Sequence, residues 1–228
     1  MPGCNTDILD ITREISRDLA AWPGDTEFSM AWTQRIDRGD VVNLSSLTLS
    51  PHSGTHLDAP LHFGARAAAL GEVPLSALIG PCLVVDARVP RGDAGDGPID
   101  DETMQRALDE ARQGRNIPSR VLVNTGYRPG NPFNEDFLSF TTGAVDCLAA
   151  QGVVLLGTDA PSVDDFDSKD LPAHTRCLES GIHILEHLEI RQVQVGRYVL
   201  VALPMKIANA EAAPVRAVLM KDGKISRS

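Results

Sequence analysis

The sequence predicts a mixed α/β fold in which many short apolar strands are interleaved with only a few helices. Strand-like segments recur along the whole chain, without the regular strand–helix alternation that marks a doubly wound sheet. The 228 residues are 43% hydrophobic but only 4% aromatic, so the core is expected to be mostly aliphatic. This length favours a single domain over residues 1–228.

The strands are predicted from apolar or alternating runs that are bounded by turn residues. In chain order they cover residues 7–12, 28–36, 41–50, 82–87, 120–125, 153–158, 182–185, 198–203 and 215–220. The second and third of these flank the turn residues Arg38, Gly39 and Asp40, which predicts a hairpin. The third strand is expected to continue directly into the segment at residues 51–63.

The helices are predicted from helical spacing of apolar residues together with their start and stop signals. They cover residues 75–79, 101–113, 142–150 and 171–179. Asp100 is expected to cap the second helix, and glycines at 114, 152 and 181 follow the ends of the last three.

Charge and composition exclude several classes of function. A net charge of −10 argues against nucleic acids and anionic membranes as partners. The four cysteines form no C-x-x-C pair, which argues against a zinc finger or a redox motif. The polar, acidic N-terminus lacks the basic segment of a signal peptide, and no apolar run could span a bilayer, so a cytoplasmic location is expected.

Three of the six histidines fall in one run at residues 51–63, which has the sequence P-H-S-G-T-H-L-D-A-P-L-H-F. His52, His56, Asp58 and His62 all occupy even positions. On an extended backbone such residues share one face, whereas a helix would turn Asp58 away from the first two histidines. The clustering of imidazole and carboxylate groups predicts metal binding.

The segment must bend for these side chains to converge. In a straight strand the Cα atoms of His52 and Asp58 would lie about 20 Å apart, whereas metal–ligand bonds are only about 2 Å long. Gly54 and the Ala59–Pro60 step are the positions that permit a bend. We therefore expect a strand, then a bend, then a short loop that gathers the ligands. Nitrogen and carboxylate ligands without thiolate suit Zn²⁺ or Mn²⁺ in a hydrolytic site.

The run at residues 52–63 resembles the metal-dependent cyclase/formamidase family, whose signature is H-x-G-T-H-x-D-x-P-x-H. Further segments are similar to the bacterial kynurenine formamidase branch of that family. They are W-P-G-D-T at 22–26, G-T-D-A-P-S-V-D at 157–164, D-S-K-D-L-P-A-H at 167–174, I-L-E at 184–186 and A-L-P-M-K-I at 202–207. The resemblance thus spans nearly the whole chain.

The resemblance implies a barrel-like β core with surrounding helices, a homodimer, and hydrolysis of N-formyl-L-kynurenine to L-kynurenine and formate. It implies a site of one or two metal ions, with His62 as the catalytic histidine. The metal ligands that it implies are His52, His56, Asp58, His174 and Glu186, with Asp58 as a bridge between two ions.

Other residues keep two interpretations at this point. Trp22 on composition alone favours the core, but with Phe28 it could instead flank an aromatic substrate. Cys177 could be a soft donor, although a helix-packing thiol is the simpler interpretation. His183 and His187 have odd parity relative to Glu186 on a strand and are expected to be exposed or structural.

Two rival functions fit the same ligand set. One is a hydrolase of the same family acting on another aryl amide or on an isatin-type lactam. The other is a metal-stabilised binding protein without turnover. His62 argues against the second rival, because a histidine beyond the ligand set has no evident structural need.

Overall fold

The computed structural model describes residues 8–88 and 97–221. Its strands are β1 (Ile8–Asp10), β2 (Ser29–Gln34), β3 (Leu44–Thr48), β4 (His56–Asp58), β5 (Ile79–Asp86), β6 (Arg120–Asn124), β7 (Leu155–Thr158), β8 (His183–Glu186), β9 (Gly196–Pro204) and β10 (Ala212–Lys221). Its helices are α1 (Leu75–Leu78), α2 (Asp101–Arg112), α3 (Thr142–Ala150) and α4 (Pro172–Ser180). Residue 7 of the first predicted strand lies outside the described residues.

Seven strands close into a barrel in the order β10-β4-β8-β7-β6-β5-β9, and pairing of β9 with β10 completes the circle. Strands β5 to β8 run parallel to one another, and the other barrel pairs are antiparallel. Strand β1 adds to the free edge of β10 beyond the end of β4. The predicted mixed α/β fold with a barrel-like core is therefore confirmed.

Successive side chains of a strand point to opposite faces, so the apolar residues of the strands are divided between two cores. One core fills the barrel interior and includes Leu57, Leu122 and Leu185. The other lies between the outer face of the barrel and the helices, where Val121 and Ile184 are buried. Residues on either side of Leu57 and Leu185 therefore point out of the barrel, toward the helical layer.

The helices cover one side of the barrel: α2 packs against α3 and β5, α3 packs against α4, and α4 packs against β8. The predicted cap of α2 is present, because an Asp100 carboxylate oxygen accepts a hydrogen bond from the Thr103 backbone N–H at 2.8 Å. Helix α4 ends at Gly181 in the left-handed region at φ 68°. Within the described ranges, none of the helices has both the length and the apolar character needed to cross a bilayer.

Strands β2 and β3 form the predicted hairpin, but it is a separate two-stranded sheet. The prediction that the third strand continues into the histidine run is wrong, because β3 ends at Thr48. The predicted order within the run is also wrong: the turn precedes the strand. Gly54 lies in this turn, before β4 begins. It has φ +64°, and a Cβ atom there would lie 2.8 Å from Ile15 Cγ1, which explains why glycine occupies the position. A second turn, the 3₁₀ helix at Pro60–His62, follows β4.

Candidate active site

Strand register brings three polar side chains of the site together. Strand β4 pairs antiparallel with β8, so that His56 lies opposite Glu186. Directly opposed side chains in antiparallel strands have Cβ atoms about 5 Å apart. Because Leu57 points into the barrel, its neighbours His56 and Asp58 share the outward face with Glu186. All three side chains are buried.

Two further histidines reach the same point from outside the sheet. His52 lies on the turn before β4, and its Nδ1 is 3.2 Å from Asp58 Oδ1. His174 lies in the first turns of α4, and its Nε2 is 3.6 Å from Asp58 Oδ2 and 3.7 Å from Glu186 Oε1. The structure therefore brings together all five residues that the resemblance implies as metal ligands.

The two carboxylates divide the cluster into two halves. Asp58 Oδ1 faces His52 and also His56, whose Nε2 is 3.4 Å from that oxygen and 3.4 Å from Glu186 Oε2. The second oxygen of each carboxylate faces His174. Ligands bound tetrahedrally at about 2.1 Å from zinc lie about 3.4 Å apart, so these spacings fit a cation in either half.

Asp58 provides an independent test of this fit. Both its carboxylate oxygens are fully buried, and neither has a hydrogen-bond partner among the described residues. A buried carboxylate without a partner is strongly unfavourable unless it is paired with a charge. A bound cation between the two halves would supply that pairing for both oxygens.

The charges of the cluster raise the pKa values of two of its histidines and lower that of Asp58. Burial alone would lower the pKa of His56, yet its interaction with Glu186 and the charge of Asp58 raise it to about 9. Burial also opposes protonation of His174, but Asp164 and Asp58 raise its pKa to about 10. The pKa of Asp58 is well below its usual value despite burial, because His174 and His52 face it. A metal ion would displace these protons.

Three of the five ligand candidates are oriented by a hydrogen bond to a group outside the cluster. His56 Nδ1 donates to the Gly54 carbonyl oxygen at 2.9 Å, and Glu186 Oε1 accepts from the Val163 backbone N–H at 2.9 Å. Asp164 binds His174 Nδ1 at 2.7 Å. These contacts leave Nε2 of both histidines directed at Asp58, the arrangement of a carboxylate-oriented metal ligand.

Asp164 had no predicted role, although it closes the G-T-D-A-P-S-V-D segment. Its carboxylate also accepts hydrogen bonds from the backbone N–H groups of Ala173 and His174, and therefore ties the start of α4 to the loop after β7. Burial would raise the pKa of Asp164, but these bonds and the His174 side chain hold it below the usual value. The only available signal was its place in that loop.

His62 lies beside the cluster on the 3₁₀ turn after β4. Its ring centroid is 4.2 Å from that of His52, and one of its nitrogens lies within 4.8 Å of ligand atoms of Asp58 and His174. It is exposed, unlike the buried Asp58 and His174. Neighbouring protein atoms shield part of the ring from solvent and lower the pKa of His62, even though the charge of Asp58 opposes that shift.

The cluster opens into a cavity of about 460 Å³ that has an aromatic wall. The ring centroid of Trp22 lies 5.2 Å from that of Phe133 and 5.0 Å from that of Phe166. Phe28 lines the same cavity. The interpretation of Trp22 as a core residue is therefore wrong, because it is half-buried and faces the pocket. Phe133 and Phe166 were not predicted as pocket residues, because they lie in loops without any spacing signal.

The structure also shows the surroundings of two other residues. His187 is 5% exposed and lines the cavity, so it is neither exposed nor remote from the site. Cys177 is fully buried on α4, in the core between helices and barrel, and burial raises the pKa of its thiol to about 12. A thiol that resists ionisation is a poor metal ligand, which favours the helix-packing interpretation.

The geometry agrees with comparisons to known proteins. The sequence model of the putative cyclase family matches residues 9–165. The chain belongs to the cyclase family. Similar relatives of this cyclase-family chain include the kynurenine formamidases of Salinibacter ruber, 40% identical over 93% of this chain and 96% of the relative, and of Delftia acidovorans, 39% identical over the same shares.

Two solved structures with a similar fold are described as hydrolases. One is described as a potential metal-dependent hydrolase with cyclase activity. It has a TM-score of 0.74 and 26% identity, and the match covers 93% of this cyclase-family chain and 96% of the other chain. Isatin hydrolase A from Labrenzia aggregata has a TM-score of 0.79 and 25% identity, covering 94% of this chain and 93% of its own. These likenesses agree with a metal-dependent hydrolytic site.

Proposed function

We propose that this protein is a metal-dependent arylformamidase that hydrolyses N-formyl-L-kynurenine to L-kynurenine and formate. The observation that carries the proposal is one pocket in which a buried histidine–carboxylate cluster faces an aromatic wall. The proposal is supported by the kynurenine formamidases that are about 40% identical over 93% of the chain.

The metal would be held by His52, His56, Asp58, His174 and Glu186. Asp58 would contribute both of its oxygens, because they face different histidines. Zinc is the preferred ion, with manganese as the second choice, since the donors are imidazole nitrogen and carboxylate oxygen. When bound, zinc supplies Lewis acidity, which lowers the pKa of water toward ~7 and polarises a carbonyl oxygen.

His62 would move the proton that the reaction requires. The leaving arylamine departs far more readily as a neutral amine than as an anion, so its nitrogen must receive a proton as the carbon–nitrogen bond breaks. His62 is exposed to the pocket and has a nitrogen beside Asp58 and His174. From this place it can accept a proton from the attacking water and deliver it to the amide nitrogen.

The aromatic wall would hold the aryl ring of the substrate. Trp22 lies at its centre, in contact with Phe133 and Phe166, and Phe28 extends it. An aryl ring placed against these side chains would gain offset or edge-to-face contacts. The ring would then carry its formamide group toward the cluster, since both line one cavity.

The test is turnover of N-formyl-L-kynurenine by purified protein as isolated, after chelation, and after reloading with Zn²⁺ or Mn²⁺. Formate and kynurenine should appear in equal amounts, chelation should abolish both, and reloading should restore them. Turnover that survives complete removal of metal would contradict the proposed chemistry. Bound metal without any turnover would instead assign a metal-stabilised binding protein.

The isatin-type lactam hydrolase is the second candidate, supported by the fold likeness to isatin hydrolase A. The same metal-loaded preparation should be given isatin in parallel with N-formyl-L-kynurenine. We expect the formamide to have the higher kcat/KM. A higher kcat/KM for isatin would transfer the assignment to the lactam.

A further inference from the structure

The loop that joins β6 to α3 carries part of the aromatic wall. Phe133 of this loop lines the cavity, and its ring centroid lies 5.2 Å from that of Trp22. Phe133 is only half-buried, and residues 125–139 form no helix or strand. The place of Phe133 in the wall therefore depends on side-chain contacts rather than on a regular backbone ladder.

Asp159 fixes the start of this loop. The residue is buried directly after β7, the strand that neighbours β6. Its Oδ1 accepts hydrogen bonds from the Thr125 backbone N–H at 2.7 Å and from Thr125 Oγ1 at 2.8 Å. Its Oδ2 accepts from the backbone N–H groups of Gly126 at 3.0 Å and Tyr127 at 3.1 Å. Four hydrogen bonds to one buried side chain thus hold the backbone of Tyr127 in place.

The side chain of Tyr127 connects this anchored start to the middle of the loop. Tyr127 is buried, and its Oη donates a hydrogen bond to the Asn134 carbonyl oxygen at 3.1 Å. Asn134 follows Phe133 directly, so the bond holds the backbone beside Phe133. The ring of Tyr127 also lies 6.1 Å from that of Phe137, which in turn lies 6.1 Å from that of Trp22. Tyr127 therefore supports the loop from the side away from the cavity.

We propose that Tyr127 is a positioning residue whose hydroxyl, through Asn134, sets Phe133 against Trp22 in the aromatic wall. This inference rests on the proposed arylformamidase function, because that function assigns the wall to the aryl ring of the substrate. Tyr127 does not itself line the cavity, so its loss should weaken substrate binding and leave the chemical step unchanged. The Asn134 side chain also donates to the Arg128 carbonyl at 2.7 Å, which limits the expected loss to that of one hydrogen bond.

The two tyrosines of the chain form a matched pair for the experiment. Tyr198 is also buried and donates its hydroxyl to a backbone carbonyl, that of Gln194, at 3.0 Å, but it does not line the cavity or contact the wall. In zinc-loaded protein, Tyr127→Phe should raise KM for N-formyl-L-kynurenine by about 3- to 10-fold, with kcat within about 2-fold. Tyr198→Phe should change both by less than about 2-fold. An unchanged KM in Tyr127→Phe, or an equal rise in both variants, would overturn the role.

A double-mutant cycle tests whether the hydroxyl acts through Phe133. Phe133→Ala removes a ring of the wall and should by itself raise KM. Adding Tyr127→Phe to Phe133→Ala should then raise KM by less than about 2-fold, because residues that act through one another give non-additive effects. A full additional rise of about 3- to 10-fold would show that the hydroxyl does not act through Phe133 and would overturn the proposal.

The failure of the proposed function has a different signature, because the wall can be measured without substrate. In a Trp32→Phe background, Trp22 is the remaining tryptophan. Acrylamide should quench its fluorescence more strongly after Tyr127→Phe than after Tyr198→Phe, since Phe133 would cover it less closely. Stronger quenching in a protein that does not hydrolyse N-formyl-L-kynurenine would support the positioning role and reject only the substrate. Equal quenching in the two variants would overturn the positioning role, whatever the substrate.

Discussion

At the scale of single residues, Asp58 and His62 illustrate how position separates two roles within one short run. Asp58 is buried with both oxygens between histidines, whereas His62 is exposed at the edge of the same cluster. A buried carboxylate that faces two imidazole groups suits a ligand, and an exposed imidazole beside it suits proton transfer. The two roles predict different behaviour on substitution.

His62→Ala should lower kcat by about 10²- to 10⁴-fold, the usual contribution of a general acid–base group, while metal content stays near wild type. His52→Ala and Asp58→Ala should instead lose metal and activity together. Elemental analysis and turnover of N-formyl-L-kynurenine on the same preparations make the comparison. A His62→Ala protein that lacked metal, or that kept full activity, would show that the proton is carried elsewhere, with Glu186 the next residue to test.

Asp164 should matter for metal affinity although it is not itself a proposed ligand. Its carboxylate fixes the ring of His174 at 2.7 Å, and loss of such an orienting partner typically costs 10- to 100-fold in metal affinity. Asp164→Asn should therefore weaken zinc binding by about that factor. Competition with a chromogenic chelator measures it. Asp167→Asn, an exposed change in the same loop, is the control, and an equal loss there would refute the role of Asp164.

The site could be predicted from sequence only where its residues are close along the chain. His52, His56 and Asp58 were recognised by their spacing. All three occupy even positions, and Gly54 and the Ala59–Pro60 step permit the chain to bend there. His174 and Glu186 came from the family resemblance alone, because more than a hundred residues separate them from β4. Asp164 had no predicted role, and His187 was expected to be exposed or structural, because sequence spacing does not record the tertiary packing that places these two residues.

At the scale of elements, helices were predicted well because their limits are set locally. The predicted α3 range agrees with the structure, Thr142–Ala150, and the end of α2 differs by one residue, since Gln113 adopts the left-handed conformation. The three-residue strand β4 was placed less well. Its limits are set by pairing with β8 and β10, which no local signal records.

The cap of α2 predicts a pH-dependent contribution to stability. A hydrogen bond from the Thr103 backbone N–H lowers the pKa of Asp100. A carboxyl group with a lowered folded-state pKa stabilises the fold above its unfolded pKa, near 3.9, and loses that contribution as the pH falls through the folded value. Asp100→Ala should thus cost about 1 kcal/mol in unfolding free energy at pH 7, and less at pH 2.

Urea unfolding at several pH values measures this difference. Asp100→Asn is the matched control, because asparagine caps helices about as well as aspartate but does not titrate. It should keep most of the stability and lose the pH-dependent difference. A cost for Asp100→Ala that is the same at pH 2 and pH 7 would mean that the carboxylate does not cap through its charge.

At the scale of the whole molecule, the closure of the barrel could not be predicted from the sequence pattern. Strand β4 inserts between β8 and β10, whose paired residues are 126 to 158 positions away, as Asp58 pairs with Ile184 and His56 with Pro214. Alternation indicates which residues face a core, but not which strands are neighbours. The barrel was expected only from the resemblance, whereas its mixed α/β class followed from the elements themselves.

The β2–β3 hairpin stands apart from the barrel and exposes large apolar side chains. Cross-strand pairing of Met30 with Leu47 and of Trp32 with Ser45 places Met30, Trp32 and Leu47 on one face. Trp32 is 49% exposed and Leu47 is 58% exposed. A two-stranded hairpin is at best marginally stable alone, and a contiguous exposed apolar face commonly marks an interface. We predict that this face lies in the contact of the expected homodimer.

Sedimentation velocity at micromolar concentration should therefore give twice the mass of the chain for the wild-type protein. Leu47→Asp places a charge on the apolar face and should weaken dimerisation by about 30-fold or more, the effect of disrupting a contact worth at least 2 kcal/mol. Ser46→Asp, on the opposite face of the same strand, should leave the dimer intact and controls for damage to the hairpin. A wild-type monomer would remove the expectation of a dimer altogether. A dimer equally stable in Leu47→Asp would keep the dimer but move its contact away from the hairpin, which would leave the exposure of Trp32 and Leu47 to be explained by another partner.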